Sequence, residues 1–270
     1  MTKYDFDQII ERKNTNCLKY DFAVERHRPA DILPFWVADM DFAVPSEVIE
    51  ELVKRSRHGI FGYTDIKEDY FLTLKKWFAR QHAWQLKDKS LVVTPGVVFA
   101  ICAAIRAFTK ENDAVLIQRP VYYPFSLSIE QNNRRLINNP LVLRDGRYEI
   151  DFVDFEQKII ENKVKLFILC NPHNPVGRVW TRDELTRLGD ICVKHDVLVV
   201  ADEIHEEFTR PGYKHLVFAD LKPEYALRTI TCTAPSKTFN LAGLQISNIF
   251  IENDSLKRSF VNAMDQVGYS

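Results

Sequence analysis

Apolar residues fall along this chain in short, β-branched runs separated by longer stretches with helical spacing. The runs Leu91–Val93, Ala114–Gln118, Val164–Cys170, Val197–Asp202, Thr229–Thr233 and Ile246–Ile251 are predicted strands. The stretches Tyr70–His82, Val97–Phe108, Phe152–Asn162 and Arg182–His195 are predicted helices. Thr181-Arg-Asp-Glu184 reads as a capping box that opens the last of these. Alternation of this kind predicts an α/β domain around a mainly parallel, buried sheet. The first 45 or so residues differ: Pro29, Pro34 and Pro45 interrupt a segment of little periodicity, which reads as an extended arm. Ser255–Gly268 reads as a further helix near the end.

Composition narrows the function classes. Of 270 residues, 46% are hydrophobic and 27% charged, as in an ordinary globular protein. A net charge of −1 leaves no basic footprint for nucleic acid or an anionic membrane. The polar, acidic start, Met1-Thr-Lys-Tyr-Asp-Phe-Asp, lacks the apolar core of a signal peptide, and no apolar run reaches membrane-spanning length. The expected location is the cytoplasm. The cysteines Cys17, Cys102, Cys170, Cys192 and Cys232 form no C-x-x-C pair, and four lie in apolar periodic segments. They read as buried free thiols rather than a disulfide framework or zinc site.

Three segments carry the chemistry. Asn171-Pro-His-Asn174-Pro-Val-Gly177, Val199-Val-Ala-Asp202-Glu-Ile-His205 and Thr233-Ala-Pro-Ser-Lys237-Thr-Phe-Asn-Leu-Ala-Gly243 follow one another in the chain. A lysine amine that can condense with an aldehyde, a carboxylate for a pyridinium nitrogen and an asparagine beside them suit pyridoxal 5'-phosphate (PLP) chemistry. Asp202 ends a predicted strand, where α/β folds place ligands; Glu203, one residue on, should face elsewhere. A phosphate needs N–H donors and hydroxyls. Thr94-Pro-Gly96-Val97-Val98 ends a strand and opens a helix, so the N–H groups of Val97 and Val98 face an anion there and Gly96 permits close approach. Thr233 and Ser236 could add hydroxyls. No dinucleotide or P-loop glycine motif exists. Asp202, His205 and Glu206 raise a metal reading, but Thr209 stands where a zinc H-E-x-x-H helix needs histidine, so no metal is expected.

In this order the motifs resemble the fold-type-I PLP enzymes of the class I/II aminotransferase superfamily. Within it they are most similar to the MalY/PatB group of cystathionine β-lyase-like C–S lyases, from about Trp36 to the last residue. The resemblance implies a seven-stranded, mainly parallel sheet sandwiched by helices. It implies an arm or part of a small domain over residues 1–45, a PLP-binding large domain over 46–255, and over 256–270 the start of a helix leading to a C-terminal small domain. That domain and its carboxylate-binding arginine are expected beyond Ser270, so the chain reads as truncated. The resemblance assigns Tyr122 to stacking on the PLP ring, with Tyr123 as second candidate or substrate neighbour; core packing is the alternative for either. Asn174 and His205 would border the phenolic oxygen, Asn174 also the substrate, while His205 could be a core histidine instead. Phe61-Gly62-Tyr63-Thr64 implies a homodimer in which Tyr63 reaches the phosphate bound by a partner subunit. Pro34-Phe-Trp36-Val-Ala38-Asp39-Met-Asp41 would border the substrate through Ala38, with Asp39 and Asp41 readable as plain loop acids. One departure is Gln245, where many aminotransferases carry an arginine on the phosphate.

Three functions are open to such a chain. The leading one is a PLP-dependent β-lyase acting on cystathionine or another L-cysteine S-conjugate, with Lys237 as general base. The second is an aminotransferase on the same cofactor. The third is an inactive remnant or a regulatory binding protein.

Overall fold

Continuous apolar runs make strands that are covered on both faces, and the structure, a computed structural model describing residues 4–269, is built around them. Helix α1 spans Ser46–His58 and α2 spans Glu68–His82. Strand β1 (Leu91–Thr94) leads into α3 (Val97–Phe108), and β2 (Ala114–Ile117) leads into α4 (Pro124–Glu130). After β3 (Arg135–Asn138) come the hairpin of β4 (Val142–Arg144) and β5 (Arg147–Glu149) and then α5 (Phe152–Asn162). Strand β6 (Leu166–Cys170), α6 (Arg182–Lys194) and β7 (Leu198–Asp202) follow. The short α7 (Pro223–Ala226), β8 (Thr229–Thr233), the short α8 (Pro235–Thr238), β9 (Ser247–Phe250) and α9 (Asp254–Asp265) complete the order. No helix of the described residues is long and apolar enough to cross a membrane.

The chain forms two compact units: Met1–Tyr63 with Pro235–Leu244, and Thr64–Ala234 with Gln245–Ser270. The larger unit holds a seven-stranded sheet in the order β1-β9-β8-β7-β6-β2-β3. Strand β9 runs antiparallel to both its neighbours and every other pairing is parallel. The carboxyl ends of β1, β2, β6, β7 and β8 therefore share one edge of the sheet. Side chains alternate between its faces. Val115, Ile117, Ile168, Val200 and Ile230 pack with α3 and α9 through Ile101, Ile105, Phe260 and Met264. Leu116, Phe167, Leu169, Val199 and Ala201 pack with α5 and α6 through Phe155, Ile159, Leu185 and Leu188. A third cluster joins α2 to the β1–β9 edge, where Phe78, Trp84 and Phe250 meet edge to face at 5.2–5.3 Å.

Local signals behave as the sequence predicts. Thr181 Oγ1 accepts the Glu184 N–H at 3.2 Å while Glu184 Oε2 accepts the Thr181 N–H at 2.8 Å, closing both halves of the capping box. All five cysteines are free thiols, and Cys170, Cys192 and Cys232 are buried as expected, whereas Cys102 in α3 is only half-buried, as is Cys17. In the smaller unit residues 4–45 contain neither helix nor strand. There Arg12 bridges Asp39 and Asp41, and Lys19 Nζ sits 3.1 Å from Asp41, so both acids are ion-paired.

Candidate active site

Asp202 is the last residue of β7 and 5% exposed. In register it lies between Cys170 of β6 and Cys232 of β8. It has the parity of Val200, so it belongs to the sheet face that carries α3. Burial pushes both thiols up, and the nearby Asp202 charge pushes them further, which keeps them neutral walls rather than nucleophiles. The Ile204 N–H donates to Asp202 Oδ1 at 3.1 Å, holding the carboxylate at the strand end.

Asn174 and Tyr122 come together at the neighbouring strand ends. The Tyr122 N–H donates to the Asn174 carbonyl at 3.0 Å, and the Asn174 N–H donates to Cys170 Sγ at 3.3 Å. Burial raises the Tyr122 phenol, with Tyr123 and then Asp202 adding to the shift. Tyr122 is 38% exposed and Tyr123 70% exposed, so core packing does not account for Tyr123. His205 is half-buried with its ring edge against Phe208 at 5.9 Å.

The β1–α3 turn has the form of an anion site. Helix α3 has no side-chain cap at Gly96 and no acidic residue in its first turn, so the N–H groups of Val97 and Val98 have no partner from within the helix. Gly96 is extended, with φ 166°, and a Cβ built on it would meet nothing within 4 Å. Neither backbone strain nor packing within the chain asks for glycine here. Thr94 is buried and its hydroxyl lies 2.6 Å from Ser247 Oγ. Thr233 is buried and its hydroxyl donates to the Asn248 carbonyl at 3.1 Å, leaving no proton to offer an anion.

The smaller unit carries the remaining expected residues. Lys237 and Ser236 lie in α8, both half-buried. Ala38 is exposed, and Tyr63 is fully exposed. Asn240, which sequence reasoning passed over, accepts the Met40 N–H at 3.0 Å and donates to the carbonyls of Met40 at 3.1 Å and Phe42 at 2.9 Å.

The buried His215 escaped the sequence, and so did the partners of Glu203. Glu203 Oε2 lies 3.1 Å from His215 Nε2, and its Oε1 accepts the Phe218 N–H at 2.9 Å and Asn171 Nδ2 at 3.3 Å. Asn171 in turn donates its backbone N–H to the Asp202 carbonyl at 2.9 Å. As expected from its position, Glu203 faces away from Asp202, into a network behind the strand end.

Residues 30–269 match the family described as aminotransferase class I and II. Cystathionine β-lyase PatB of Bacillus subtilis is 46% identical over 96% of this chain and 67% of its own length. Protein MalY of Escherichia coli is 33% identical over 97% of this chain and 66% of its own length. Among solved structures, cystalysin of Treponema denticola, which contains pyridoxal 5'-phosphate, aligns with a TM-score of 0.94 at 42% identity, over 98% of this chain and 68% of that one. An aspartate aminotransferase of Geobacillus stearothermophilus stands further off, at 27% identity over 84% of this chain and 58% of its own length. The chain spans about two thirds of the length of the two curated lyase-group relatives.

Proposed function

The chain belongs to the aminotransferase class I and II family, and from that premise we propose that it is a PLP-dependent β-lyase. Its substrate would be L-cystathionine or a related L-cysteine S-conjugate, and its products pyruvate, ammonia and a thiol. The observation that carries the reading is the buried Asp202 carboxylate on the sheet face of α3, whose first turn is uncapped and whose Gly96 opens onto free space. These features fit the two ends of the cofactor, a ring nitrogen that wants a carboxylate and a phosphate that wants N–H donors.

Bound PLP supplies an electron sink for a negative charge developing at the substrate α-carbon. Asp202 would hold a proton on the ring nitrogen. The N–H groups of Val97 and Val98, the Ser236 hydroxyl and a partner subunit's copy of the exposed Tyr63 would hold the phosphate, with Gln245 adding no charge. Tyr122 would stack on the ring, and Asn174 and His205 would border the phenolic oxygen. Ala38, Tyr123 and Asn174 line the substrate. The Lys237 amine would hold the aldehyde end of the cofactor and would take the α-proton of the substrate. The reaction would release the β-sulfur as a thiolate and, with water, give pyruvate and ammonia.

On this reading residues 46–255 form the cofactor domain, residues 1–45 the arm and 256–270 the start of the connection to a small domain. On the same reading the protein acts as a cytoplasmic homodimer, and the exposure of Tyr63 supports the dimer. Borohydride reduction of the PLP-loaded chain followed by peptide mapping should find the pyridoxyl group on Lys237. Incubation with cystathionine should give pyruvate without an added keto acid. Label on another lysine overturns the assignment, and turnover that requires a keto acid makes the enzyme an aminotransferase.

A further inference from the structure

Beyond the residues of the proposed reaction, the larger unit gathers ionisable side chains where the end of α2 meets the turn after β7 and the segment before Phe218. Glu203 and His215 are paired there at 3.1 Å and almost wholly buried. His82 Nε2 lies 3.0 Å from Glu207 Oε1, which also accepts the Trp77 indole N–H at 3.0 Å. Glu206 stands between the two pairs. Its carboxylate, His82 and Glu207 offer ligand atoms within 4.8 Å of one another, and so do its carboxylate, Glu203 and His215. Glu206 is 6% exposed and its Oε2 has no hydrogen-bond partner; the Nδ1 of the 2%-exposed His215 has none either. Among the described residues no lysine or arginine pairs with any of the three carboxylates.

We propose that this cluster binds one divalent cation of the zinc class, with Glu206 as its central ligand and His82 and His215 as its nitrogen donors. Mixed imidazole and carboxylate donors suit zinc, whereas calcium and magnesium take oxygen shells. A metal-bound histidine is oriented by a carboxylate on its other nitrogen. Glu203 stands in that relation to His215: a proton on Nε2 directed at Glu203 leaves the lone pair on the orphaned Nδ1. Glu207 Oε1 holds the His82 ring through its Nε2 at 3.0 Å. A cation would take a lone pair of the orphaned Glu206 Oε2 directly, at a bond length of about 2.0–2.2 Å. The ion would tie the end of α2 to the turn that follows Asp202.

The test uses the tag-free 270-residue chain, dialysed against zinc and then against metal-free buffer, with elemental analysis and with cobalt(II) as a visible reporter. One zinc per chain should remain, the thermal midpoint should rise, and cobalt should show ligand-field bands. Glu206→Gln, which keeps size and shape, and His82→Asn should each weaken zinc binding at least about tenfold with unchanged far-ultraviolet circular dichroism. A folded wild-type chain that retains no zinc overturns the proposal. So does zinc held equally by Glu206→Gln, or zinc displaced by equimolar magnesium or calcium.

Discussion

Asn240 grips the backbone of Met40 from both sides, accepting its N–H at 3.0 Å and donating to its carbonyl at 3.1 Å. The two are 200 residues apart in the chain. The same amide donates to Phe42, and Asn240 has φ 56°, a left-handed conformation that asparagine tolerates better than most residues. One side chain thereby fastens the segment after Lys237 to the segment after Ala38. Asn240→Ala should lower stability by about 1–3 kcal/mol, the sum of modest net hydrogen bonds plus a backbone conformation that alanine dislikes. Hydrogen exchange at Met40 should accelerate. An unchanged urea midpoint with unchanged exchange would show that the grip contributes nothing.

Gly189 of α6 faces the Tyr225 ring so closely that a Cβ would sit 2.4 Å from Cζ. Tyr225 cannot swing aside freely, because its hydroxyl donates to the Thr186 carbonyl at 2.9 Å and its ring stacks on Phe218 at 5.2 Å. Gly189→Ala should cost about 1–3 kcal/mol despite alanine's better helix propensity. A thermal midpoint equal to wild type or higher would refute the crowding.

Gly96 is the opposite case. With extended backbone and open space at its Cβ, Gly96→Ala should shift stability by no more than about 0.5 kcal/mol. PLP affinity should nevertheless fall about tenfold, since one misplaced contact to a charged group is worth roughly 1.4 kcal/mol. Titration of apo protein with PLP measures this; wild-type affinity in the variant would move the phosphate elsewhere.

The proposed role of Asp202 predicts a split between catalysis and folding. Asp202→Ala should reduce pyruvate formation by about a hundredfold or more, the scale seen when a preorganised electrostatic partner is removed. Its thermal midpoint should move far less. Near wild-type turnover would end the pyridinium assignment.

His173 sets a pH dependence of stability. Its ring packs edge-on to Trp180 at 5.4 Å, and its Nε2 lies 3.0 Å from the Pro120 carbonyl. Burial pushes its pKa down from 6.5 to about 4. The unfolded chain takes up this proton near pH 6.5 while the folded one resists it. The contribution is therefore complete above pH 6.5 and is lost as pH falls toward 4, by an amount on the order of 3 kcal/mol. Urea unfolding at pH 7 and pH 4.5 should show a smaller acid loss in His173→Asn than in wild type. Parallel losses in the two proteins would show that His173 does not titrate in this window.

What could be read from the residues depended on burial. Strands such as β6 and β7 announce themselves because both faces are covered, so every position is apolar up to Cys170 and Asp202. Edge strand β3 does not: Arg135 is exposed, and only Leu136 and Ile137 mark it. Helix α1 has Val48, Ile49, Leu52 and Val53 at helical spacing, but none of its residues is buried, and the neighbouring prolines masked it. Asp202 was legible because a strand end in a parallel sheet is a position with meaning. Glu203 and Asn240 were not, because their roles depend on His215, Asn171, Met40 and Phe42, and no local pattern specifies those pairings.

The antiparallel strand β9 has a consequence for how the molecule is made. Among the described residues β1 comes first in the chain order of this sheet, yet its partner is β9, the latest of the sheet's strands, with Leu91 opposite Phe250. Trp84 and Phe78 wait on the same Phe250 ring. On a ribosome the parallel strands from β2 to β8 can assemble as they emerge, while α2 and β1 remain without their cover until residue 250 has left the exit tunnel. Such long-range closure is slow, and it leaves aromatic surface open in the interval. The amino-terminal part of the sheet is thus the stretch of a nascent chain with most need of a chaperone.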